Sequence, residues 1–272
     1  LQNKIKIISL NDVGDLTYPY EALDGDIENI KNIIEDKHEI SSLIKKAKKP
    51  LIIFGQSVLK SNSAKYIFES IRSYLKKNNK ISNEWNSLNI ISENASSVGS
   101  FDLGLYKTED GSNEILKDLE NHKFEIVYLL GQDNLKFKKQ NEFIIYQGSH
   151  GDHGAEMADI ILPGAAYTEQ NGYYMNLEGK LQKAYKASYP PEEAREDWQI
   201  INDLAETMNH RKLFNDKDEL ESSMLNQINL YIEKDNTKQF KDLKDLKFEK
   251  ETLRIENKDY YYSNVVARAS KT

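Results

Sequence analysis

Short apolar runs alternate with amphipathic segments along the chain. Runs of consecutive apolar residues, which are typical of strands buried on both faces of a parallel sheet, occur at 48–55, 124–131, 141–148 and 158–164. A further strand is predicted at 4–10, where the chain reads KIKIISL. Most of the segments between these runs repeat their apolar residues at helical spacing. The pattern therefore predicts an α/β fold with a doubly wound, mainly parallel sheet that helices cover.

Helical spacing predicts six helices. They lie at 27–34, at 40–47, at 64–75, near 113–121, in the segment PPEEAREDWQIINDLAETMN and after Asp216. Pro191 is expected in the first turn of the fifth helix, where its missing N–H costs little, with acidic residues such as Glu196 at the positive helix end. Asp216 and Glu219 resemble a capping box at the start of the sixth helix. Residues 78–113 are polar and predict a loop with short elements.

The predicted elements divide the chain into three regions. Residues 1–47 are interpreted as the end of a Rossmann-like subdomain that another chain completes, because the first strand comes almost at the start of the sequence. Residues 48–210 are an α/β subdomain, and residues 211–272 are a helical extension with a C-terminal tail. No apolar run approaches the roughly 20 residues that span a bilayer.

Composition narrows the possible functions. The chain has 272 residues, a formal net charge of −7 and no cysteine. Its basic residues are spread along the sequence, which disfavours nucleic-acid binding, since that function calls for a basic patch or stripe. The absence of cysteine excludes disulfides, thiolate metal sites, cysteine nucleophiles and cysteine-bound iron–sulfur clusters on this chain.

The glycine-rich stretch QGSHGDHGAEMADIILPG at 147–164 is the main candidate for chemistry. His150, Asp152 and His153 could share a metal ion, with Glu156 nearby. A metal site needs a third and a fourth ligand, however, and the chain has only five histidines. The favoured interpretation is a tight turn, in which glycines adopt positive φ and the polar side chains hydrogen-bond the loop.

Other candidate motifs are incomplete. The strand–glycine–helix order in IIFGQSVLKSNSA has one glycine and lacks the G-x-G-x-x-G pattern of a dinucleotide site. No phosphate-binding loop or nucleophile elbow is present. Tyr260, Tyr261 and Tyr262 are interpreted as a packing or interface anchor, because aromatic side chains favour such buried amphipathic roles. The residues alone therefore predict no catalytic set.

The segment YQGSHGDHGAEMADIILPGAAYTEQNGYYMNLEGKLQ at 146–182 carries a specific pattern. It resembles the molybdopterin-oxidoreductase-like domain of the large iron–sulfur subunit of respiratory complex I, which has a QGHHGD–G–ADVILPGAAYTE–G–Y–N–EGR–Q run. DLTYPYEALDGD, AKKPLIIFGQSVL, PPEEAREDWQIINDLAE and YYYSNVVARAS resemble further segments of that family in the same order. The match is poor at 78–112 and 209–258, and Lys180 stands where the family has arginine.

The resemblance implies a partial molybdopterin-oxidoreductase-like fold that keeps the shell of a pterin pocket without the pterin. The implied pocket residues are Gly148, His150, Asp152, Gly154, Glu169, Asn176 and Glu178. It implies no catalytic residue, metal ligand or cofactor on this chain. Iron–sulfur clusters and FMN are expected on partner chains of the complex.

The function implied by the resemblance is structural. The chain would complete and brace the large subunit in the NADH-oxidising peripheral arm of complex I, without a membrane span and without nucleic acid. Its expected partners are the cysteine-rich N-terminal half of the same subunit and other peripheral-arm subunits. Its expected location is the matrix side of the mitochondrial inner membrane, or the cytoplasmic side of a bacterial membrane. Two other functions stay open: a fragment of a true molybdopterin-binding oxidoreductase, and a nucleotide-binding module.

Overall fold

The computed structural model describes residues 5–92, 94–105, 111–133, 135–151, 153–233, 246–253 and 264–270. These residues form helices and mainly parallel strands, which confirms the predicted α/β class. They divide into two compact units. The first unit is Leu1–Glu93 with Asn236–Asn257, and the second unit is Asn94–Asp235 with Lys258–Thr272. The boundaries predicted at 47/48 and 210/211 each fall inside one unit, and completion of the first region by another chain stays a prediction.

The described residues of the first unit form helices and two short two-stranded parallel sheets. Its elements are β1 (Ile8–Ser9), β2 (Glu21–Ala22), α1 (Glu28–Ile34), α2 (Glu39–Lys46), β3 (Ile52–Phe54), α3 (Gln56–Leu59), α4 (Ala64–Lys77) and β4 (Leu88–Ile90). β1 pairs with β2, and β3 with β4, both in parallel. Ile67, Ile71 and Leu75 of α4 are buried in one core with Phe54 and Ile30, so the helical spacing correctly predicted the buried face.

A segment far along the chain completes this core. Leu253 is buried among the residues of α1, α4 and β3. The Ser63 hydroxyl donates to the Glu249 carbonyl at 3.0 Å and accepts from the Glu249 N–H at 2.8 Å. The extended backbone at 249–253 therefore has hydrogen-bond partners in the first unit, although its sequence lacks strand alternation.

The strand pairing differs from the prediction in two respects. The strand predicted at 4–10 lies partly outside the described residues, and within them it is limited to β1, whose two residues pair with the two residues of β2. The strand predicted at 48–55 pairs with β4, and among the described residues it does not join the three later strands in one sheet. An apolar run shows that a strand is buried, but its partner depends on the tertiary arrangement.

The second unit is built on a three-stranded parallel sheet. Its elements are α5 (Ser97–Asp102), α6 (Gly111–Glu120), β5 (Ile126–Leu130), β6 (Phe143–Gly148), α7 (His153–Met157), β7 (Ile160–Pro163), β8 (Gly172–Met175), β9 (Leu181–Ala184), α8 (Asp197–Asn209), α9 (Lys217–Glu233) and α10 (Val265–Ala269). β6 lies between β5 and β7, and all three run in parallel. β8 and β9 form an antiparallel hairpin. Leu129, Ile144 and Tyr146 form the core on one face of the sheet. Within the described residues, no helix is both long and apolar enough to cross a membrane.

The fifth predicted helix was expected to have Pro191 in its first turn. It begins instead at Asp197, six residues after Pro191, so this expectation was wrong. The Arg195 N–H donates to the Pro163 carbonyl at 3.1 Å, and the Arg195 carbonyl accepts from Ala165 N–H at 2.7 Å. These bonds hold residue 195 beside the end of β7, so α8 starts at Asp197 with Glu196 as its N-cap in a capping box. The Asp216 carboxylate accepts from Glu219 N–H at 2.9 Å, which confirms the predicted start of α9.

A buried carboxylate stabilises the approach to β6. The Glu142 side chain is only 1% exposed, and its Oε1 lies 2.6 Å from His122 Nδ1. Its other oxygen accepts from the Gln140 N–H at 2.7 Å. Backbone N–H donors, Gln140 first, and then His122 lower the pKa of Glu142 to about 2. The ionised form of Glu142 is therefore strongly favoured in the folded chain.

Glu142→Gln is expected to lower the urea midpoint at about pH 7. The folded-state pKa is lowered from 4.5 to about 2. The carboxylate therefore stabilises the fold above the upper value and loses that contribution as pH falls towards the lower one. The gap between the two midpoints should shrink as the pH is reduced. Glu125→Gln, an exposed glutamate just before β5, is the control and should show no such gap at any pH.

Candidate functional site

The candidate site lies where the three parallel strands of the second unit end. Ligands of open α/β sheets bind beyond the carboxyl ends of the strands. Here β5 is followed by Gly131–Asp133, β6 by the loop from Ser149, and β7 by Gly164. The glycine-rich motif predicted as a turn is therefore at the position where a ligand would be expected.

A buried tyrosine fills the space beneath the glycine-rich loop. Tyr146 is 2% exposed, and its hydroxyl donates to the His150 carbonyl at 2.7 Å. A Cβ placed on Gly148 would lie 2.3 Å from the Tyr146 hydroxyl oxygen. A Cβ placed on Gly154 would lie 2.5 Å from the Gln132 carbonyl oxygen and 3.0 Å from the Tyr146 ring. These glycines permit close packing, and neither adopts the positive φ expected from the sequence.

A second polar cluster joins β6 to α8. Gln147 is fully buried, and its Nε2 donates to Asp197 Oδ1 at 2.8 Å. Gln170 Nε2 donates to Asp197 Oδ2 at 3.0 Å, and the Tyr128 hydroxyl donates to Gln147 Oε1. Burial, and then the negative charge of Asp197, raise the pKa of Tyr128, so its hydroxyl stays protonated as a donor. The four side chains are hydrogen-bond partners of one another, and these bonds fix the N-terminus of α8 against the sheet.

The two histidines make separate local contacts. His150 Nδ1 lies 2.9 Å from Ser149 Oγ, and His153 Nδ1 lies 3.3 Å from Glu156 Oε2. His153 starts the short helix α7, whereas His150 precedes it, so the two do not share a helical face. Asp152 lies outside the described residues. Among the described residues, no three histidine or carboxylate side chains are grouped closely enough to hold a metal ion.

The remaining predicted pocket residues support turns. Glu169 Oε2 accepts from the Ala166 N–H at 2.9 Å. Asn176 Oδ1 accepts from the N–H groups of Glu178 and Lys180, at 3.0 and 2.9 Å, and so closes the hairpin turn between β8 and β9. Each contact is local and stabilises the backbone at its own position.

The sequence analysis missed a charged contact at the end of β5. Asp133 is 7% exposed, and its carboxylate accepts from Arg268 of α10 at 2.5 Å. The Asp133 carbonyl also accepts from the Gly154 N–H at 3.0 Å. The sequence offered one signal for this contact. The segment YYYSNVVARAS, which contains Arg268, resembles a family segment, but the resemblance assigns no role to the arginine. A C-terminal residue thus contributes to the carboxyl edge of the sheet, whereas the tyrosines predicted as an anchor at 260–262 lie outside the described residues.

Arg268→Ala is expected to release α10 from the second unit. The substitution leaves the mostly buried Asp133 carboxylate without this cation, at a cost of about 1–2 kcal/mol. Hydrogen exchange should show faster exchange in residues 265–270 and at the Gly154 amide. Arg211→Ala, at an exposed arginine just after α8, is the control. Equal protection in both variants would contradict the role given to Arg268.

The described residues do not fit a pterin cofactor at these strand ends. A pterin would need buried donors and acceptors directed at it, but those of Gln147, Asp197 and Asp133 are bonded within the chain. Within the described part of the chain, the one buried side-chain oxygen without a partner belongs to Glu69, in the first unit. The arrangement suits a packed structural junction. The expectation that this chain carries no cofactor stays a prediction.

Comparison with known proteins decides the family. The family model described as molybdopterin oxidoreductase matches residues 1–207, which include all three strands of the sheet and most of α8. The chain belongs to the molybdopterin oxidoreductase family. In this member of the family, the described residues at the strand ends pack around Tyr146.

The relatives confirm the resemblance found in the sequence. The chain is 41% identical over 213 residues to the NADH-ubiquinone oxidoreductase 75 kDa subunit of Reclinomonas americana, covering 78% of this chain and 30% of that protein. It is 36% identical over 275 residues to a NADH-quinone oxidoreductase subunit of Rickettsia bellii, and the match covers 98% of this chain and 39% of that protein. It is also 36% identical over 219 residues to the NADH-ubiquinone oxidoreductase 78 kDa subunit of Candida albicans, covering 79% and 29%. The chain thus spans well under half the length of these relatives.

Proposed function

We propose that this chain is a structural part of the NADH-oxidising peripheral arm of respiratory complex I, where it completes and braces the large iron–sulfur subunit. The observation that carries the proposal is the 36% identity to a NADH-quinone oxidoreductase subunit over 275 residues and 98% of this chain. Similarity of that extent covers both compact units and is not confined to one motif.

The packing of the second unit supports a non-catalytic role. Catalysis at the carboxyl ends of parallel strands needs groups that face a substrate or a cofactor. Here Tyr146 occupies the space beneath the loop, and Asp133 is bonded to Arg268. The chain also has no cysteine to hold an iron–sulfur cluster. Such a chain contributes rigid packing, while electron transfer belongs to other chains.

The proposal names partners and a location. The cysteine-rich N-terminal half of the same subunit would be the direct partner, together with other subunits of the peripheral arm that hold the iron–sulfur clusters and FMN. Two of the similar proteins carry the word mitochondrial in their names, which supports the matrix side of the mitochondrial inner membrane as the location.

The test is native gel electrophoresis of gently solubilised membranes, stained for NADH-dependent activity and followed by mass spectrometry of the stained band. The expected result is this chain in the active band, together with a chain that contains the cysteine-rich region. A chain that migrates away from NADH activity would overturn the proposal.

Elemental analysis of the same band separates the structural role from that of a true molybdopterin oxidoreductase. We expect iron from the partner chains and no molybdenum or tungsten assigned to this chain. One molybdenum or tungsten atom for each copy of this chain, retained through purification, would replace the structural role with the enzymatic one.

A further inference from the structure

The two faces of the three-stranded sheet are covered very unequally. Side chains alternate between the faces along each strand, and paired residues of neighbouring strands share a face. On one face, Leu129, Ile144 and Tyr146 are 4%, 0% and 2% exposed. The opposite face, called the open face below, carries Ile126, Leu130, Phe143 and Ile160, which are 64%, 49%, 43% and 45% exposed. Both faces are apolar. On the first face the exposed positions lie on β7, where Ile161 is 53% exposed, whereas the open face has exposed side chains on all three strands.

A groove continues the open face towards α8. Leu162 lies two residues after Ile160 and therefore on the same face of β7. It lines an open groove of about 400 Å³ together with Ile200 and Leu204 of α8, and the charged side chains of Glu193, Arg195 and Asp203 also line this groove. At this end the central strand is covered, since Gln147 of the same face is fully buried and bonded to Asp197, whereas Leu130 of β5 is 49% exposed. The exposed apolar surface of the open face thus continues to the groove beside α8.

An apolar face of this kind requires a covering layer. Parallel sheets are found with both faces covered, and the covering elements are helices. Contiguous exposed apolar surface on a soluble domain marks an interaction site. An amphipathic helix of ordinary length would bury the side chains of the open face and insert residues into the groove beside α8.

The comparisons indicate the source of that helix. This chain covers only 30% of one relative and 39% of another, so most of the polypeptide of each relative lies outside the match. In those relatives the additional polypeptide belongs to the same protein as the matched region. A partner chain that corresponds to that part is thus long enough to supply a covering helix.

We infer that the open face binds an amphipathic helix from the chain that carries the remaining part of the large subunit. The inference rests on the proposed function, because it takes the partner from it. The helix presents apolar residues to Ile126, Phe143 and Ile160 and fills the groove lined by Leu162, Ile200 and Leu204. This contact is the means by which the chain braces its partner.

The absence of cysteine provides a direct test. Phe143→Cys places a single thiol on the open face, and Leu177→Cys places one on the β8–β9 turn, where the native leucine is 52% exposed. Both thiols should react with a maleimide in the free chain. In the assembled complex the thiol at 143 is expected to react at least tenfold more slowly, while that at 177 is unchanged. Ile126→Cys is a second reporter on the open face should the first variant fail to fold.

A photo-crosslinker attached to the thiol at 143 identifies the occupant. The expected product joins this chain to a helical segment of the chain that carries the cysteine-rich region. A product with a second copy of this chain, or with another part of the same copy, would overturn the inference. So would an unreactive thiol in the free chain, full reactivity in the complex, or equal protection of both positions. If the chain is in the NADH-active band but its thiol at 143 stays reactive, the inference fails while the proposed function stands.

Discussion

Gly154→Ala is expected to destabilise the second unit by about 2–4 kcal/mol. Glycine is unfavourable within a helix, so the same change in an exposed helix would stabilise by about 1 kcal/mol. Gly154 lies in α7, but a Cβ there would be 2.5 Å from the Gln132 carbonyl oxygen and 3.0 Å from the Tyr146 ring. The backbone at 132 cannot move freely, because the neighbouring Asp133 carbonyl accepts from the Gly154 N–H. The expected sign is therefore opposite to that of helix propensity.

Urea unfolding of the full chain measures the free energy, and hydrogen exchange at residues 143–148 assigns the change to the second unit. Gly151→Ala is the matched control from the same loop. A Cβ at position 151 meets no atom within 4 Å, and its φ is outside the left-handed region. The control should change stability by less than about 0.5 kcal/mol. Equal effects of the two substitutions would show that the loop is not packed against Tyr146 as described.

Asp197→Ala has the second-largest expected effect, a loss of about 2–3 kcal/mol. The substitution removes the carboxylate that accepts from Gln147 Nε2 at 2.8 Å and from Gln170 Nε2 at 3.0 Å. Because Gln147 is fully buried, its amide cannot recover the lost bond with bulk water. Asp197→Asn, which retains an acceptor oxygen but no charge, should give an intermediate loss.

The matched control is Asp203→Ala on the same helix. Asp203 pairs with Arg195 at 2.7 Å, but the two side chains are 49% and 57% exposed. Exposed ion pairs contribute about 0–1 kcal/mol, because water screens them. Urea midpoints should therefore separate the two aspartates clearly. Similar losses at both positions would contradict the role given to the buried hydrogen bonds of Asp197.

The sequence predicted the elements well where burial is periodic. The apolar spacing of α4 identifies the face that contains Ile67 and Leu75, and the runs at 126–130, 143–148 and 160–163 are strands as expected. Local capping chemistry was equally informative, since Asp216 caps α9 as predicted. Periodicity and capping are properties of adjacent residues, so one chain segment is enough to reveal them.

The position of the glycine-rich loop was predicted correctly, whereas the pocket role of its residues stays a prediction. The glycine-rich stretch was correctly expected as a loop after a strand, yet the reason for its glycines was wrong. Only glycine fits at positions 148 and 154, because the Tyr146 side chain lies against both and the Gln132 carbonyl lies against Gly154. No local pattern predicts that Tyr146 would turn towards the loop. The contact of Asp133 with Arg268 was also missed, since the two residues are 135 positions apart.

By itself the sequence determined the α/β class, the positions of the main helices and strands, and the family motif. Only the tertiary structure decided that β3 pairs with β4 and that α8 starts at Asp197. It also decided that the described residues leave one face of the three-stranded sheet more exposed than the other. The physical reason is that an apolar run shows that its residues must be buried, but not by which residues. The partner of a strand and the cover of a sheet face depend on residues that are distant in the sequence.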